Sequence, residues 1–202
     1  MKRLSLLLFC IFCVSNTPLA AADEGRDIDA GFGEWKVLFD GKTTAGWQNA
    51  KPKRQAGGKN LWAVEDGALA NIKGGVNDIC TVDEFTDYEL EIEYKIPAKG
   101  NSGVYLRGTC EVQIFDSFGK ADKDLSKADA GAIYGVGYVA LKNAQKKPGE
   151  WNKYRIIHVG HRITVWHNGV LIQDNVFQDQ FTGGAMVVYP RTQRKLTADK
   201  GP

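Results

Sequence analysis

The sequence predicts an all-β protein, an antiparallel β-sandwich of the jelly-roll class. Residues Tyr88 to Ile96 alternate strictly between apolar and charged side chains, which is typical of a strand with one buried and one solvated face. The dipeptides Asp66-Gly67 and Asn168-Gly169 stand between short apolar runs and predict two tight hairpins. The chain has 23 glycines, and no stretch shows a sustained helical stripe. Many short strands with frequent turns therefore favour two packed sheets.

The same signals place the other elements along the chain. One hairpin is expected to join Leu61–Glu65 to Ala68–Ile72, and the other to join Ile163–His167 to Val170–Gln173. A short helical turn is expected within Ala121–Ala130. Further predicted strands are Trp35–Phe39, Ile79–Val82, Gly103–Arg107, Glu111–Phe115, Gly137–Leu141, Tyr154–Val159 and Met186–Tyr189. We interpret residues 34–202 as one domain.

The first 22 residues have the composition of a secretory signal peptide. Lys2 and Arg3 precede an apolar run of 11 residues, and the small residues Ala20-Ala21-Ala22 come before Asp23. The apolar run is shorter than the roughly 20 residues that a bilayer-spanning helix needs. We therefore expect cleavage after Ala22, a flexible arm over residues 23–33, and an exported mature chain without membrane insertion.

Removal of this leader leaves a mature chain with no formal net charge. The full sequence has 26 Lys and Arg against 24 Asp and Glu, and two of the basic residues belong to the leader. Nucleic-acid binding depends on an excess of positive charge, so this composition argues against it. A neutral surface suits an uncharged partner such as a carbohydrate.

Two cysteines, Cys80 and Cys110, lie in the expected mature chain. Because export delivers them to an oxidising compartment, we expect a disulfide between them, with two buried free thiols as the alternative. We expect His158, His161 and His167 to be mainly solvated, and their spacing does not indicate a zinc site. The sequence predicts neither a metal nor a cofactor.

The segment 101–116 combines apolar alternation with a dense set of polar and aromatic residues. Its two predicted strands direct their apolar faces to the core together if Arg107 pairs with Glu111, which implies a turn over residues 108–110. The opposite face then carries Asn101, Tyr105, Arg107, Glu111 and Gln113, with Asp116 at the far end of its strand. An ordinary solvated ion pair and a sugar-binding cleft both fit this face.

Seven motifs in a fixed order resemble one protein family. They are FDGK at 39–42 with Gly46-Trp47, WAVEDG at 62–67, NSGVYLR at 101–107, EVQIFD at 111–116, GAIY at 131–134, GEWN at 149–152 and Asn168-Gly169. Together they resemble the 3-keto-disaccharide hydrolase domain over residues 34–202. The resemblance implies a concanavalin A-like jelly roll in an exported bacterial protein that cleaves glycosides oxidised at C3. The family's last strands have no counterpart after Pro202, so we expect them to be missing.

The chemistry that the resemblance implies requires a base. A ketone at C3 acidifies the hydrogen on C2, so a base there can expel the substituent at C1, and water then adds to complete a net hydrolysis. By motif position, Glu111 or Asp116 is the base, and Arg107 or Tyr134 stabilises the enolate. The expected carbohydrate contacts are Asn101, Tyr105, Gln113, Tyr134 and Trp47, which follows a glycine in the first loop.

Two alternative functions remain open from the sequence. A lectin-like module can use the same sandwich to bind glycans without catalysis. A retaining glycosidase is the other alternative, because the spacing Glu111-x-Gln113-x-x-Asp116 resembles the E-x-D-x-x-E strand of laminarinases. Retaining chemistry needs two carboxyls about 5 Å apart. In this chain Gln113 replaces the middle Asp of that motif, and the shorter Asp116 replaces its last Glu. Both changes disfavour direct displacement at an unoxidised glycoside.

Overall fold

Almost all the secondary-structure elements of the described residues are β-strands, in two six-stranded sheets and one separate hairpin. The structure is a computed structural model that describes residues 2–7, 33–50, 62–71, 78–107, 110–178 and 184–189, with backbone alone for 2–7 and 184–189. The expected arm over residues 23–33 lies outside these ranges except for its last residue, and so does the end of the chain where strands were expected to be missing. Within the described ranges, no helix is long and apolar enough to cross a membrane.

Fourteen strands and one 3-10 turn make up the described elements. In chain order the strands are β1 (Lys2–Leu7), β2 (Trp35–Val37), β3 (Trp47–Asn49), β4 (Trp62–Glu65), β5 (Ala68–Asn71), β6 (Ile79–Phe85), β7 (Tyr88–Tyr94), β8 (Asn101–Leu106), β9 (Cys110–Phe115), β10 (Ile133–Tyr134), β11 (Asn152–Val159), β12 (Arg162–His167), β13 (Val170–Phe177) and β14 (Gly184–Tyr189). The 3-10 turn, Asp122–Asp124, lies within the predicted helical turn.

The two large sheets confirm the predicted antiparallel sandwich. We call the sheet with the strand order β13-β12-β11-β7-β1-β2 the first sheet, and the one with the order β10-β9-β8-β14-β6-β3 the second sheet. The predicted hairpin β4–β5 forms a separate pair. Every described strand pair is antiparallel except those of β1, which lies parallel to β2 and β7. Since β1 belongs to the expected leader, cleavage after Ala22 would remove it from the first sheet.

The hydrophobic core lies between the sheets and is formed by alternate residues of their strands. Leu90 and Ile92 of β7 are fully buried, as are Val112 and Ile114 of β9. This is the period-two pattern that the sequence predicts for strands with one apolar face. Each such side chain contributes about 1.5–3 kcal/mol through the apolar surface it removes from water.

One predicted strand is wrong. Residues 137–141 form part of a tight turn in which a single bridge joins Tyr138 to Ile133. Gly135 and Gly137 both have a positive φ, which reverses the backbone immediately after β10 and prevents an extended strand. The turn leaves Val139 and Leu141 exposed.

The expectation of solvated histidines is also wrong for two of the three. The exposed fraction is 0% for His158 and 1% for His167. Both occupy inward-facing positions, His158 in β11 alongside Ile156 and His167 in β12 alongside Val165. Burial lowers the pKa of each imidazole to about 3, so both are neutral at pH 7. His167 also lies 2.9 Å from the hydroxyl of Tyr94, which makes it part of a buried structural network.

The predicted disulfide is wrong, because Cys80 and Cys110 are buried thiols that are not disulfide-bonded. Cys80 lies on β6 and Cys110 on β9, with β14 and β8 between them in the second sheet. Three strand spacings separate them by about 14 Å, whereas the Cα atoms of a disulfide lie within about 7 Å. Cys110 belongs to the core, and the pairing register directs Cys80 to the opposite face of the sheet.

A long connection between β9 and β11 is fixed by the carboxylate of Asp129. This side chain is buried and accepts hydrogen bonds from Ser117 Oγ, Lys120 Nζ, and both the backbone N–H and Oγ of Ser126. The next residues lead directly into β10, and Ala132, just before that strand, accepts a backbone hydrogen bond from Gln113 of β9. Asp129 therefore holds the segment that completes this edge of the second sheet.

Candidate active site

The candidate site is a row of side chains that crosses the second sheet at right angles to its strands. Glu111 of β9 lies directly opposite Tyr105 of β8 on one side and opposite Tyr134 of β10 on the other. The row continues through β14 to Cys80 of β6 and Gln48 of β3. Cross-strand partners point to the same face of a sheet, so these side chains share the face that lies away from the core.

Glu111 is nearly buried at the centre of this row. Only 7% of the residue is exposed, where the sequence had placed it on an open face. Removal from water raises the pKa of its carboxyl to about 7, with a further rise from the negative charge of Asp78, and the Tyr105 hydroxyl works against the rise. A carboxyl with a pKa close to neutral can both take up and release a proton at physiological pH.

The amide of Gln113 holds one oxygen of this carboxyl. In the orientation that satisfies both nearby acceptors, its nitrogen donates to Oε1 of Glu111 at 3.0 Å and to the carbonyl of Ser102 at 3.0 Å. The Gln113 backbone is itself fixed, because its carbonyl accepts hydrogen bonds from the Tyr154 hydroxyl and from the N–H of Gly131, each at 2.8 Å. Glu111 is thus positioned by a residue that both sheets hold in place.

The predicted register of the β8–β9 hairpin is shifted by two residues. Tyr105 pairs with Glu111, and Gly103 pairs with Gln113. A shift of two residues preserves the face on which each side chain lies. Asn101, Tyr105, Glu111 and Gln113 therefore do share one face, as predicted from the alternation. The turn begins at residue 107, and its next two residues lie outside the described ranges.

Arg107 does not belong to this face, contrary to the prediction. Its φ of +52° ends β8 and turns its side chain between the sheets, where 3% of it is exposed. The guanidinium donates to Nδ1 of His158 at 3.2 Å and to the carbonyl of Gly160. Arg107 therefore ties the second sheet to the first and is not placed to stabilise an enolate near Glu111.

Asp116 is also separated from Glu111. Five residues of extended chain place the two about 17 Å apart, and alternation directs them to opposite faces. The Asp116 carboxylate accepts the backbone N–H of Lys99 at 2.7 Å, which fixes the turn before β8. This separation is too large for the carboxyl pair of a retaining or an inverting glycosidase, which needs about 5–9.5 Å.

Two predicted carbohydrate contacts lie away from the centre of the row. Asn101 is on the correct face but pairs with Phe115, roughly 13 Å along β8 from Tyr105. Trp47 packs against the core, and its indole N–H donates to the carbonyl of Leu38 at 2.8 Å. Trp47 is therefore a structural residue of β3, and its neighbour Gln48 is the side chain that faces the row.

The far end of this row was not predictable from the sequence. Gln48 and Cys80 come from strands distant in the chain, and only the strand order brings them to the face of Glu111. The predicted strand Ile79–Val82 did indicate the face of Cys80. Adjacent residues of a strand point to opposite faces, and Ile79 is buried in the core. Among the described residues, no group of three or more His, Cys, Asp or Glu side chains is placed to hold a metal ion.

The fold and this face define a jelly-roll sandwich with a nearly buried carboxyl between two tyrosines. The chain belongs to the family of 3-keto-alpha-glucoside-1,2-lyase-like domains, whose family model matches residues 34–202. It is 28% identical over 152 residues to a 3-keto-disaccharide hydrolase of Bacteroides thetaiotaomicron. That match covers 60% of this chain and 51% of the relative, so the chain spans about half the length of the relative.

Solved structures of Parabacteroides distasonis proteins have the same fold. A candidate glycosyl hydrolase from this organism is 29% identical, with a TM-score of 0.63 over 77% of this chain and 76% of that protein. A second candidate glycosyl hydrolase is 25% identical, with a TM-score of 0.55 over 72% of this chain and 91% of that protein. These similarities agree with the family membership and the jelly-roll class.

Proposed function

We propose that this chain is an exported carbohydrate-active enzyme that cleaves 3-keto glycosides by elimination across C1 and C2, with Glu111 as the general base. The observation that carries the proposal is the position of the Glu111 carboxyl, nearly buried between Tyr105 and Tyr134 and bound by Gln113. The family membership and the name of the Bacteroides relative support the substrate class.

The proposed reaction uses one carboxyl and no covalent sugar intermediate. Glu111 takes the proton from C2, the electron pair of that C–H bond forms the enolate with the C3 ketone, and the C1–O bond then breaks as the leaving oxygen gains a proton. Water adds its oxygen to C1 and a proton to C2, which gives the products of a net hydrolysis. A base with a pKa of about 7 suits this exchange of protons at neutral pH.

The neighbours of Glu111 have separate proposed tasks. Gln113 orients the carboxyl through its amide nitrogen. Tyr134 is half-buried on the edge strand β10 and carries the hydroxyl proposed to bind the enolate oxygen or the leaving oxygen. Arg107 and Asp116 take no part in the proposed reaction, because hydrogen bonds hold both side chains elsewhere in the fold.

The decisive experiment compares an aryl 3-keto-glucoside with its unoxidised counterpart. We expect phenol release from the 3-keto compound alone, because only the ketone acidifies C2. Release from the unoxidised glucoside alone would favour a retaining glycosidase. If neither compound releases phenol but the sugar raises the melting temperature, the domain is a glycan-binding module.

Export is proposed from the leader sequence at residues 1–22. We expect the full chain, produced in a bacterium with a secretory pathway, to yield a mature protein that begins at Asp23. Intact-mass measurement of the exported protein checks this, and a folded product that retains residues 1–22 would contradict it. Cleavage would also leave β7 and β2 without the strand that lies between them.

A further inference from the structure

We propose that Gly103 is a positioning residue for Glu111. Because glycine has no side chain, the carboxyl of Glu111 can occupy the space directly against the backbone of residue 103. This inference builds on the proposed role of Glu111 as the base. Gly103 lies one pleat from Tyr105, the direct partner of Glu111, so the carboxyl reaches it diagonally across the hairpin.

The contact leaves no room for any side chain at residue 103. A Cβ built on Gly103 would lie 1.8 Å from Oε1 of Glu111 and 2.5 Å from both its Cδ and its Cγ. Carbon and oxygen atoms that are not bonded stay more than 3 Å apart, so even a methyl group would displace the carboxyl. The three nearest atoms among the described residues all belong to Glu111.

The backbone at residue 103 does not itself require glycine. Gly103 lies inside β8 and is not among the glycines with a positive φ. Glycine in a strand interior weakens the strand, and it often marks a place where another group approaches closely. Here the approaching group is the carboxyl of Glu111, so glycine is required at residue 103 by this contact and not by the backbone conformation.

Gly103 and Gln113 together define the position of the carboxyl. They are direct cross-strand partners, so the Gln113 amide, which binds Oε1, stands beside the surface that Gly103 leaves vacant. A methyl group at residue 103 would push Oε1 off the sheet and away from this amide. The carboxyl would then lose its orientation and gain contact with water.

The kinetic test is Gly103→Ala in the exported protein, with Ser102→Ala as the matched control that adds no atoms beside Glu111. We expect Gly103→Ala to lower kcat on the aryl 3-keto-glucoside by about 10²-fold, the scale of a displacement of about 1 Å in a catalytic group. We also expect the acid limb of its pH–rate profile to move to lower pH, because the carboxyl is better solvated. Wild-type kcat and an unmoved limb in Gly103→Ala would overturn the proposal.

A second test does not depend on activity. Carbon-13 NMR of labelled glutamate, assigned by the signal lost in Glu111→Gln, follows the titration of the carboxyl directly. We expect its midpoint to fall in Gly103→Ala and to stay unchanged in Ser102→Ala. If the wild-type protein turns over no 3-keto glycoside, the proposed function fails, but this titration still decides the role of Gly103.

A double-mutant cycle covers the case in which Gly103→Ala folds poorly. Removal of the carboxyl by Glu111→Ala deletes the atoms that clash, so the methyl group should be tolerated in that background. We expect Gly103→Ala to lower the melting temperature of the wild-type protein and to have little effect on Glu111→Ala. An equal loss of melting temperature in both backgrounds would show that Gly103 serves the strand and not the carboxyl.

Discussion

Glu111→Gln is expected to lower kcat on an aryl 3-keto-glucoside by about 10²–10⁴-fold, the usual contribution of a general base. The amide has the same shape as the carboxylate but cannot accept a proton from C2. Since the pKa of Glu111 is about 7, the wild-type rate should rise as the pH increases through that value, because the base must be deprotonated. Initial rates between pH 5 and pH 9 measure both effects.

The matched control for this prediction is Asp116→Asn, immediately after the strand that carries Glu111. Its carboxylate accepts a hydrogen bond from the backbone N–H of Lys99. This change is therefore expected to affect the turn before β8 and to leave most of the activity. Circular dichroism and melting curves establish that both variants are folded. Full activity in Glu111→Gln, or an equal loss in Asp116→Asn, would reject the assignment of the base.

Asp129→Asn is expected to lower the free energy of unfolding by about 2–4 kcal/mol, because four donors point at this buried carboxylate. An amide can accept from some of them but must turn its own NH₂ group toward others. For a chain of this size, we expect the melting temperature to fall by about 5–12 °C. Thermal unfolding measured by circular dichroism checks the result.

The cost of Asp129→Asn should depend on pH. Burial alone would raise the pKa of Asp129, but the hydrogen bonds from Lys120, Ser126 and Ser117 outweigh burial and lower it. A lowered pKa in the folded state means that the stabilisation is complete above the unfolded-state pKa of about 3.9 and is lost as the pH falls through the folded-state value. The difference between wild type and Asp129→Asn should therefore shrink below about pH 4.

Asp124→Asn is the control for this second prediction. Asp124 lies in the same connection but is exposed, so the change should leave the melting temperature nearly unchanged. An equal loss in both variants would mean that the connection responds to its total charge. No loss in Asp129→Asn would mean that the four hydrogen bonds are replaced by solvent.

The fold class was predictable because period-two alternation and turn dipeptides are local signals. They correctly predicted that Leu90 and Ile92 lie in the core, and they located the hairpins β4–β5 and β12–β13 along the chain. The face of Glu111 was predicted despite the wrong register, since a shift of two residues leaves every side chain on its own face. Residues further along the row were not found, because strand order is decided by contacts distant in sequence.

The wrong assignments have local physical causes that the sequence does not display. Arg107 follows the alternation of its strand until a positive φ turns it to the other side. Trp47 follows a glycine in a loop-like segment, yet it lies in a short strand on the side of the core. The expected export to an oxidising compartment suggested a disulfide between Cys80 and Cys110. The redox state of a compartment does not determine how far apart two strands lie in a sheet.

The direction of the Glu111 row limits the shape of any ligand that lies along it. Adjacent strands are about 4.8 Å apart, so the span from Tyr134 through Glu111 to Tyr105 is roughly 10 Å. Tyr105 is only 1% exposed, whereas Tyr134 is half-buried, so in the proposed function a sugar ring can lie beside Tyr134 but not beside the predicted contact Tyr105. The Glu111 carboxyl therefore lies between the accessible and the buried end of the span, so we expect a substrate to approach it from the side of strand β10.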